Sequence, residues 1–523
     1  MILEIVIFLL TTLVGYYIYS YKQVHKYFEQ KDVKYLPGVP VFGNIFYSTL
    51  LKKHFLDEMM EVYNAFPDEK YVGFSELTMP VLLIRDPELI KSITVKDFDH
   101  FTDHREFFSE ESDPMFAGSL FLMKGDRWRD MRTTLSPAFT ATKMKYMLPF
   151  IVENTNNIIE FLKQNQSQSI DVDDFIRRYT NDVIASAGFG LQVNSLKDKD
   201  NEFYKIGSTL FDFNFRQRIL IILITQFPEF AKVTRIFSAK TYSFFRDIVL
   251  STMEYRKKEK VERPDMIQLL IETPKGIIKI IKQDHYINTS FRPRLTRSAQ
   301  FILFSFTDWT ADELIGQVFL FFIAGYETSA SALVMTIHEL ALNPDIQEKL
   351  YQEVRNFNEE KELTFDSLSE LKYLDCVMNE TLRKWSPAII LDRKCVKAYE
   401  LPPSREGGKP CTIKPGDVVY NVVNGLHMDP KYFSDPEIYD PERFSDANKH
   451  KIKPYTYMPF GSGPRICIGT RFAMLELKVL MFHIILNFKI LRSAKTMDPI
   501  ILKPHNFNIR ALEGTWVKFE QRE

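Results

Sequence analysis

The stretch of this chain best suited to chemistry is a glycine-rich segment near the C-terminus that contains one cysteine. It reads Pro459-Phe460-Gly461-Ser462-Gly463-Pro464-Arg465-Ile466-Cys467-Ile468-Gly469. A thiol binds a metal only as its thiolate, which the free N–H groups at the start of a helix stabilise. Apolar residues recur every three or four positions after Cys467, so we expect a buried helix to start there. The pattern indicates a thiolate ligand for iron; a buried structural cysteine in a turn is the alternative.

The residues around Cys467 suit a flat, negatively charged ligand. Gly461, Gly463 and Gly469 lack side chains, so the backbone can approach such a ligand and adopt positive φ. Arg465 places a fixed positive charge beside the cysteine, where a guanidinium can bind a carboxylate such as a haem propionate. These residue types fit a haem site, and a structural turn remains the alternative at this point.

A second constellation lies within a long apolar helix, predicted over Thr310–Ala341 because Thr310 and Glu313 form a capping box and Asn343-Pro344 ends the pattern. The helix contains Ala324-Gly325-Tyr326-Glu327-Thr328. The small residues leave room for a flat cofactor, and the threonine hydroxyl can bond a carbonyl one turn back. The acid and the alcohol could then relay protons to dioxygen during its reduction. A helix-packing glycine beside a threonine bonded to its own helix is the alternative.

Two further pairs of residues have the spacing of neighbours on one helix face. Trp128 and Arg132 lie four positions apart, so an indole N–H and a guanidinium can donate to one carboxylate. Glu380 and Arg383 lie three positions apart on a helix that Ser386-Pro387 ends. Taken alone, such an ion pair is usually a solvated surface feature.

These motifs together resemble those of the cytochrome P-450 monooxygenases. The cysteine segment matches the signature Phe-x-x-Gly-x-Arg-x-Cys-x-Gly at every defined position, and the resemblance covers nearly the whole chain. It implies that Cys467 is the metal ligand and that Thr328 and Glu327 are catalytic. It implies the following contacts with haem b: Trp128, Arg132, Ala324, Gly325, Arg393, Pro459, Phe460, Gly461, Arg465, Cys467 and Gly469.

The resemblance also implies a structural charge cluster and a substrate pocket. Glu380 and Arg383 match the family's Glu-x-x-Arg, and Arg443 lies in a Pro-Glu-Arg-Phe loop that joins this pair. The implied role is to hold the scaffold of the cysteine loop. The pocket residues that the resemblance suggests are Phe107, Phe116, Phe121, Phe322, Ile323, Ala388 and Ile389. An aromatic pocket favours bulky apolar substrates.

The activity that the resemblance implies is insertion of one oxygen atom from O2 into a lipophilic molecule, by hydroxylation, epoxidation or dealkylation. Electrons would come from NADPH through NADPH–cytochrome P-450 reductase, with cytochrome b5 as a second candidate donor. Steroids, fatty acids, terpenoids, plant toxins and insecticides all fit such a pocket. The expected setting is xenobiotic or insecticide metabolism, or endogenous lipid metabolism.

The elements that must position these residues are mostly helical. Strand patterns occur at Tyr71–Phe74 and Val81–Ile84, and shorter extended pieces are expected near Ala388–Lys397 and Thr412–Val423. Helical spacing dominates the remainder from Pro87 onward. The predicted fold is mainly α with a small β region, which the resemblance makes a single large haem domain of the cytochrome P-450 type.

Composition limits the possible functions. The chain has 523 residues and a formal net charge of −1, so nothing in its overall charge attracts nucleic acid. Its four cysteines include no C-x-x-C pair, which argues against a zinc site and a disulfide framework. Its 44 phenylalanines fit a large apolar interior.

The N-terminus predicts a membrane anchor. Residues 1–21 are apolar and long enough to span a bilayer, and the lysines that follow would lie in the cytosol. We therefore predict an anchor at 1–21, a basic and Pro/Gly-rich hinge at 22–44, and the haem domain at 45–523. The expected location is the endoplasmic reticulum membrane, with the catalytic domain on its cytosolic face. A cleaved signal peptide is the alternative.

Three further segments carry weaker predictions. Phe211–Phe237 is apolar enough either to dip into the membrane surface or to pack in the core. A basic face formed by Arg127, Arg129, Lys143 and Lys145 would suit an acidic electron donor, or would be merely solvated. Residues 275–306 are an atypical insertion relative to the family, interpreted as a membrane-touching or disordered insertion or as a sequence artefact.

Other functions remain possible at this stage. A haem–thiolate isomerase or dehydratase would need no external electrons, but such enzymes often lack the acid–alcohol pair that this chain keeps. A haem sensor would bind haem without turnover. A membrane-tethered helical scaffold would require every motif match to be coincidence.

Overall fold

Helices form most of the chain, as the apolar periodicity predicts. The computed structural model describes residues 1–106, 108–210, 215–263, 265–272, 309–504 and 508–523. The longer helices are Ile2–Gln30, Phe55–Asn64, Gly125–Leu135, Ala141–Gln164, Val172–Ile184, Glu202–Thr209, Phe215–Gln226, Ala239–Glu259, Ala311–Leu342, Pro344–Glu360, Lys372–Lys384 and Thr470–Asn487. The shorter ones are Phe46–Thr49, Pro87–Lys91, Pro114–Ala117, Met266–Glu272 and Val423–His427.

Three of these helices contain or adjoin the residues of the candidate site. The central helix is Ala311–Leu342, the ion-pair helix is Lys372–Lys384, and the proximal helix is Thr470–Asn487. The central helix packs most extensively against Val172–Ile184 and also contacts the other two named helices. Most of its buried apolar residues lie in one large hydrophobic cluster of the described residues, whereas Met335 belongs to a second cluster.

The predicted start of the central helix is confirmed. The Thr310 hydroxyl accepts from the N–H of Glu313, and the Glu313 carboxylate accepts from the N–H of Thr310. The helix ends at Leu342, directly before Asn343-Pro344. Among the described residues this is the one helix long and apolar enough to cross a membrane, but 67% of its most apolar window is buried inside the protein. It is a core helix, because its apolar surface is already covered by other helices.

The strands form three small sheets. The first contains β1 (Tyr71–Glu76), β2 (Met79–Ile84), β7 (Val418–Val422) and β4 (Ile390–Lys394), in the order β1-β2-β7-β4. The second contains β3 (Ile170–Asp171), β9 (Trp516–Gln521) and β8 (Phe488–Arg492), in the order β3-β9-β8. The third pairs β5 (Tyr399–Leu401) with β6 (Cys411–Ile413). The strands predicted near residues 71–84, 388–397 and 412–423 are therefore present, whereas the sheet at the C-terminus was not predicted.

The N-terminal segment differs from its predicted division. One helix runs from Ile2 to Gln30, so no hinge separates residues 1–21 from the residues that follow. Val24, Phe28 and Val33 are buried in a cluster with residues of the first sheet. The helix therefore continues through residues 22–30 of the predicted hinge, and its buried residues there pack against the domain.

Two predicted features lie outside the described residues. These are the whole atypical insertion, predicted over 275–306, and residues 211–214 of the predicted segment Phe211–Phe237.

Candidate functional site

The cysteine loop is a tight turn that requires its glycines. Gly461 and Gly463 have φ of +81° and +73°. A Cβ on Gly463 would lie 1.9 Å from the carbonyl oxygen of Thr94, so a side chain cannot be accommodated there. The N–H of Cys467 donates to the carbonyl of Phe460 at 2.9 Å and closes the turn. The sequence folds this way because only glycine adopts these angles without a steric cost.

Cys467 lies just before the proximal helix, and its surface is accessible although burial raises the pKa of its thiol. The raised pKa is opposed by hydrogen bonding from the backbone of Gly469 and the side chain of Thr470, and by the positive charge of Arg132. Each of these favours the thiolate, which is the form that binds metals.

The central helix presents two accessible residues in an otherwise buried stretch. Ala324 and Thr328 are exposed, whereas Tyr326, Glu327 and Ser329 are buried. The Thr328 hydroxyl donates to the carbonyl of Ala324 at 2.6 Å. This is the bond one turn back that the sequence predicts, and it weakens the regular hydrogen bonding of the helix at this position.

Gly325 lies against a neighbouring helix. A Cβ on Gly325 would lie 2.3 Å from Cδ1 of Ile184, a residue of the helix Val172–Ile184. The missing side chain therefore makes room for the neighbouring helix. This contact supports the helix-packing alternative, and the predicted contact of Gly325 with a flat cofactor stays a prediction.

Glu327 is held between two arginines. Its carboxylate accepts from Nη1 of Arg177 at 2.6 Å, and from Nε and Nη2 of Arg510 at 3.0 and 2.7 Å. Arg177 also donates to Asp173 at 2.8 Å. The Glu327 side chain is 2% exposed, so this charge is both buried and balanced.

Three positively charged residues, Arg132, Arg393 and Arg465, lie near Cys467. Arg393 is 2% exposed, donates to the carbonyl of Asp392 at 2.6 Å, and has a buried Nε without a hydrogen-bond partner among the described residues. The half-buried side chain of Arg132 has neither a hydrogen bond nor an ion pair among the described residues. Burial, with Arg393 and Arg132 nearby, lowers the pKa of Arg465 to about 9. Arg465 lies 3.9 Å from the carboxylate of Asp103, whereas Arg132 and Arg393 have no ion pair among the described residues. A buried cation without such a partner is costly unless an anion joins it.

Arg465 packs against Trp128 and joins the cysteine loop to the backbone of two other segments. The Arg465 guanidinium lies 4.2 Å from the Trp128 ring centroid. It donates to the carbonyls of Thr102, Leu120, Phe121 and Met123 at 2.7–3.2 Å. Arg465 thus holds the loop after Phe121 against the cysteine loop. It is less free to bind an anion than Arg132 or Arg393, because its N–H groups already have acceptors.

The Glu380–Arg383 ion pair is fully buried. Arg383 donates from Nε and Nη2 to the two carboxylate oxygens of Glu380, both at 2.7 Å, and both side chains are 0% exposed. The N–H of Asp440 donates to Glu380 at 2.9 Å, and Nε of Arg443 lies 3.5 Å from the same carboxylate. The pair is therefore not the solvated ion pair that its spacing alone would suggest.

Comparison with known proteins decides the family. A family model described as "Cytochrome P450" matches residues 33–515. The chain belongs to the cytochrome P450 family. Its relatives include the probable cytochrome P450 9f2 of Drosophila melanogaster, 39% identical over 512 residues that cover 95% of each chain. The cytochrome P450 9e2 of Blattella germanica is 39% identical over 95% of this chain and 94% of its own. The cytochrome P450 6k1 of Blattella germanica is 34% identical over 99% of this chain and 97% of its own.

Membership makes this cytochrome P450 a haem monooxygenase, and implies a redox partner and a small-molecule substrate. The residues present fit a haem. Cys467 offers an accessible sulfur for iron, Ala324 and Thr328 are the accessible part of the central helix, and Arg132 and Arg393 are cations in need of an anion. A haem would supply the iron and two propionates.

Several predicted substrate residues of this cytochrome P450 are in the core. Phe322 is 0% exposed and packs against Phe203 and Phe245, with ring centroids 5.0 and 5.2 Å apart. Ile389 is buried in a cluster with Met335 and Ile509. Both side chains therefore pack in the core of the described structure, and their contact with a substrate stays a prediction.

The remaining predicted pocket residues have mixed positions. Phe121 is 40% exposed and stacks on His104 at 4.4 Å, beside the arginine region. Phe116, Ile323 and Ala388 are half-buried, and Phe116 packs against Phe319 at 6.1 Å. Phe107 lies outside the described residues.

Sequence reasoning missed three residues of this site. Arg177 and Arg510 hold Glu327 from positions 150 and 183 residues away in sequence. His427 links the ion-pair helix to the cysteine loop. No local spacing connects these residues with the motifs, because only folding brings them together.

Proposed function

We propose that this cytochrome P450 inserts one atom of O2 into a lipophilic small molecule, with electrons from NADPH through a separate reductase. The observation that carries the proposal is the accessible Cys467 sulfur at the start of the proximal helix, with the cations Arg132 and Arg393 nearby. When bound through a thiolate, haem supplies oxygen activation, since the thiolate favours O–O cleavage.

Proton delivery is assigned to Thr328 and Glu327. The Thr328 hydroxyl is accessible and already bonded to the Ala324 carbonyl, so a small rotation can turn its proton toward the site. Glu327 is the adjacent acid, and its carboxylate accepts hydrogen bonds from Arg177 and Arg510. In this arrangement the Glu327 carboxylate first takes a proton from solvent and passes it to the Thr328 oxygen, while Thr328 releases its own hydroxyl proton toward the site.

A lipophilic substrate is supported by an aromatic cluster that includes the partly buried Phe108 and Phe116. Phe108, Phe116, Phe237 and Phe319 pack edge-to-face or stacked, with ring centroids 4.5–6.1 Å apart. The Ser112 hydroxyl donates to the Ala231 carbonyl, and Asp113 accepts from the N–H of Ile236. These bonds hold the loop before Pro114–Ala117 against the segment before Ala239–Glu259. An apolar cluster of this kind selects bulky, uncharged substrates, whether xenobiotics and insecticides or endogenous lipids.

A membrane location is supported by apolar residues that the fold leaves exposed. Phe215 and Val233 are 80% and 79% exposed, and Phe230 is 42% exposed. Phe227 stacks on Tyr16 of the first helix at 6.1 Å, which places both segments together. We therefore propose that residues 1–21 anchor the protein in the endoplasmic reticulum membrane, and that the exposed residues near Phe227 touch it. Deletion of residues 2–20 should then leave a residual membrane attachment that Phe215→Asp and Val233→Asp together remove.

The predicted basic face does not support the choice of electron donor. Arg127 is paired with Glu313, Arg129 lies 2.8 Å from Asp99, and Lys145 lies 2.6 Å from Asp366. Most of the positive charge of this basic face is therefore balanced by carboxylates of the protein itself. The reductase remains the proposed partner on the grounds of the family, with cytochrome b5 as a second candidate.

The deciding experiment is turnover of a panel of lipophilic compounds with purified reductase, read by mass spectrometry for an added oxygen atom. Product that depends on NADPH and carries oxygen from O2 supports the proposal. Conversion of peroxides without NADPH would identify an isomerase or dehydratase, and tight haem binding without turnover would identify a sensor. Cys467→Ser should lose the thiolate-type spectrum of the ferrous carbon monoxide complex, and an unchanged spectrum would overturn the ligand assignment.

A further inference from the structure

A buried histidine connects the ion-pair helix with the cysteine loop. His427 ends the short helix Val423–His427 and is 0% exposed. Its Nδ1 lies 3.1 Å from the carbonyl oxygen of Arg383, and its Nε2 lies 2.9 Å from the backbone nitrogen of Met458. The Arg383 guanidinium in turn donates to the carbonyl of His427 at 2.9 Å. The imidazole therefore bridges two segments that are 75 residues apart in sequence.

The two partners fix the protonation state of the ring. A carbonyl can only accept, so Nδ1 carries the hydrogen, and an N–H can only donate, so Nε2 must be the acceptor. An imidazolium would place two N–H groups against each other at Nε2. Burial and the charge of Arg383 lower the pKa of His427 to about 3, in agreement with a neutral ring. Among the side chains with rings, only neutral imidazole offers a donor and an acceptor on opposite sides.

Met458 is the base of the cysteine loop. It directly precedes Pro459, is 3% exposed, and its carbonyl accepts from the N–H of Gly461 at 3.0 Å. Two residues later the carbonyl of Phe460 accepts from the N–H of Cys467 at 2.9 Å. A displacement of the Met458 peptide is thus passed to the position of Cys467 through two consecutive turns.

A second contact ties the same end of the loop to the same helix. The Tyr457 hydroxyl donates to the carbonyl and Oδ1 of Asn379, at 3.1 and 2.8 Å, and Asn379 precedes Glu380. The Tyr457 ring lies 5.2 Å from the His427 ring. The loop is therefore anchored to the ion-pair helix at two adjacent residues, of which Met458 is held through the imidazole.

We propose that His427 is a positioning residue that couples the Glu380–Arg383 ion pair to the cysteine loop and so fixes the place of Cys467. The inference rests on the proposed role of Cys467 as haem ligand. A large apolar side chain could fill the same space, but it would leave the Met458 N–H and the Arg383 carbonyl buried without partners.

The test compares three variants of the haem-loaded full-length protein. His427→Phe keeps the ring volume without either hydrogen bond, and His427→Gln keeps an amide that can accept from Met458. His483→Phe is the control, because its buried Nε2 has no hydrogen-bond partner among the described residues. The readouts are amide hydrogen exchange at Met458 and the rate at which the thiolate-type carbon monoxide spectrum converts to the thiol type.

We expect His427→Phe to exchange the Met458 amide and to lose the thiolate-type spectrum about tenfold faster than the wild type. His427→Gln should lie close to the wild type, and His483→Phe should match it. If His427→Phe does not fold, His427→Asn provides the comparison, since its amide reaches Arg383 but not Met458.

Wild-type exchange and spectral rates in His427→Phe would overturn the inference. Equal defects in the Phe and Gln variants would also overturn it, because they would assign the effect to packing. A wild-type protein without a thiolate-type spectrum would instead refute the proposed function, and the Met458 exchange would still report on the histidine contact.

Discussion

Glu327 accepts two hydrogen bonds from Arg510, 3.0 and 2.7 Å long, across 183 residues of sequence. This contact joins the middle of the central helix to the chain segment before β9. Since Arg177 donates to the same carboxylate, the acid next to Thr328 is positioned by three elements that are distant in sequence. The proposed proton donor is therefore also part of the scaffold.

Removing Arg510 should destabilise the protein through Glu327. We expect Arg510→Gln to lower the free energy of unfolding by about 2–3 kcal/mol, because a buried carboxylate loses two charge-assisted hydrogen bonds. The measurement is denaturant unfolding of the wild type, Arg510→Gln, Glu327→Gln and the double variant. Coupling between the two sites should exceed about 1 kcal/mol, whereas strictly additive effects would show that the contact carries no energy.

Thr328 should control how NADPH use is coupled to product formation. Thr328→Ala removes the hydroxyl that hands on the proton, so reduced oxygen should leave as peroxide and the product formed per NADPH should fall several-fold. Thr328→Ser is the matched control, since it keeps the hydroxyl that donates to Ala324. Product, NADPH and peroxide are measured together, and full coupling in the alanine variant would remove Thr328 from the proton path.

Arg393 and Arg132 should hold haem through its propionates. Arg393→Met and Arg132→Met each remove a cation that has no carboxylate partner among the described residues, so haem should dissociate at least about tenfold faster. The rate is measured by transfer of haem to an apoglobin in excess. Arg492→Met is the control, because Arg492 is 54% exposed and already paired with Asp498. Equal rates in all three variants would exclude propionate binding by these arginines.

The Glu380–Arg383 pair should be a major source of stability. Glu380→Gln leaves Arg383 buried without its bidentate partner, which should cost about 3–5 kcal/mol. Glu370→Gln breaks an exposed pair with Lys361 and should cost less than about 1 kcal/mol. Unfolding midpoints of both variants test the difference, and similar midpoints would contradict the importance of burial.

Glu476 should make stability fall as pH rises. Its side chain is 0% exposed, it faces Ser329 and Tyr179 rather than a cation, and burial raises its pKa from 4.5 to about 8. The folded protein thus keeps a proton that the unfolded chain has released. Between pH 4.5 and about 8, the stability of the wild type relative to Glu476→Gln should drop by up to about 1.4 kcal/mol per pH unit.

The comparison requires unfolding of both proteins over that pH range. The glutamine variant keeps a neutral side chain of the same size, so its curve removes the contribution of every other titrating group. A difference between the two proteins that does not change with pH would show that Glu476 has no raised pKa in the folded state.

The sequence alone determined the chemistry of the site. The spacing around Cys467, the capping box at Thr310 and Glu313, and the Thr328 bond to Ala324 are all local, because each involves residues within one turn or one helix. Local backbone preference and hydrophobic periodicity are encoded by neighbouring residues. For the same reason, the central helix and most strands of the first sheet were predictable.

Only the tertiary structure decided which residues complete that site. The two arginines on Glu327, the bridge from His427 to Met458, and the packing of Gly325 against Ile184 join residues far apart in the chain. Phe322 and Ile389 look like pocket residues in sequence, yet they face the core. Hydrophobicity specifies that a side chain is buried, but only the packing of helices specifies whether it faces the interior or a ligand.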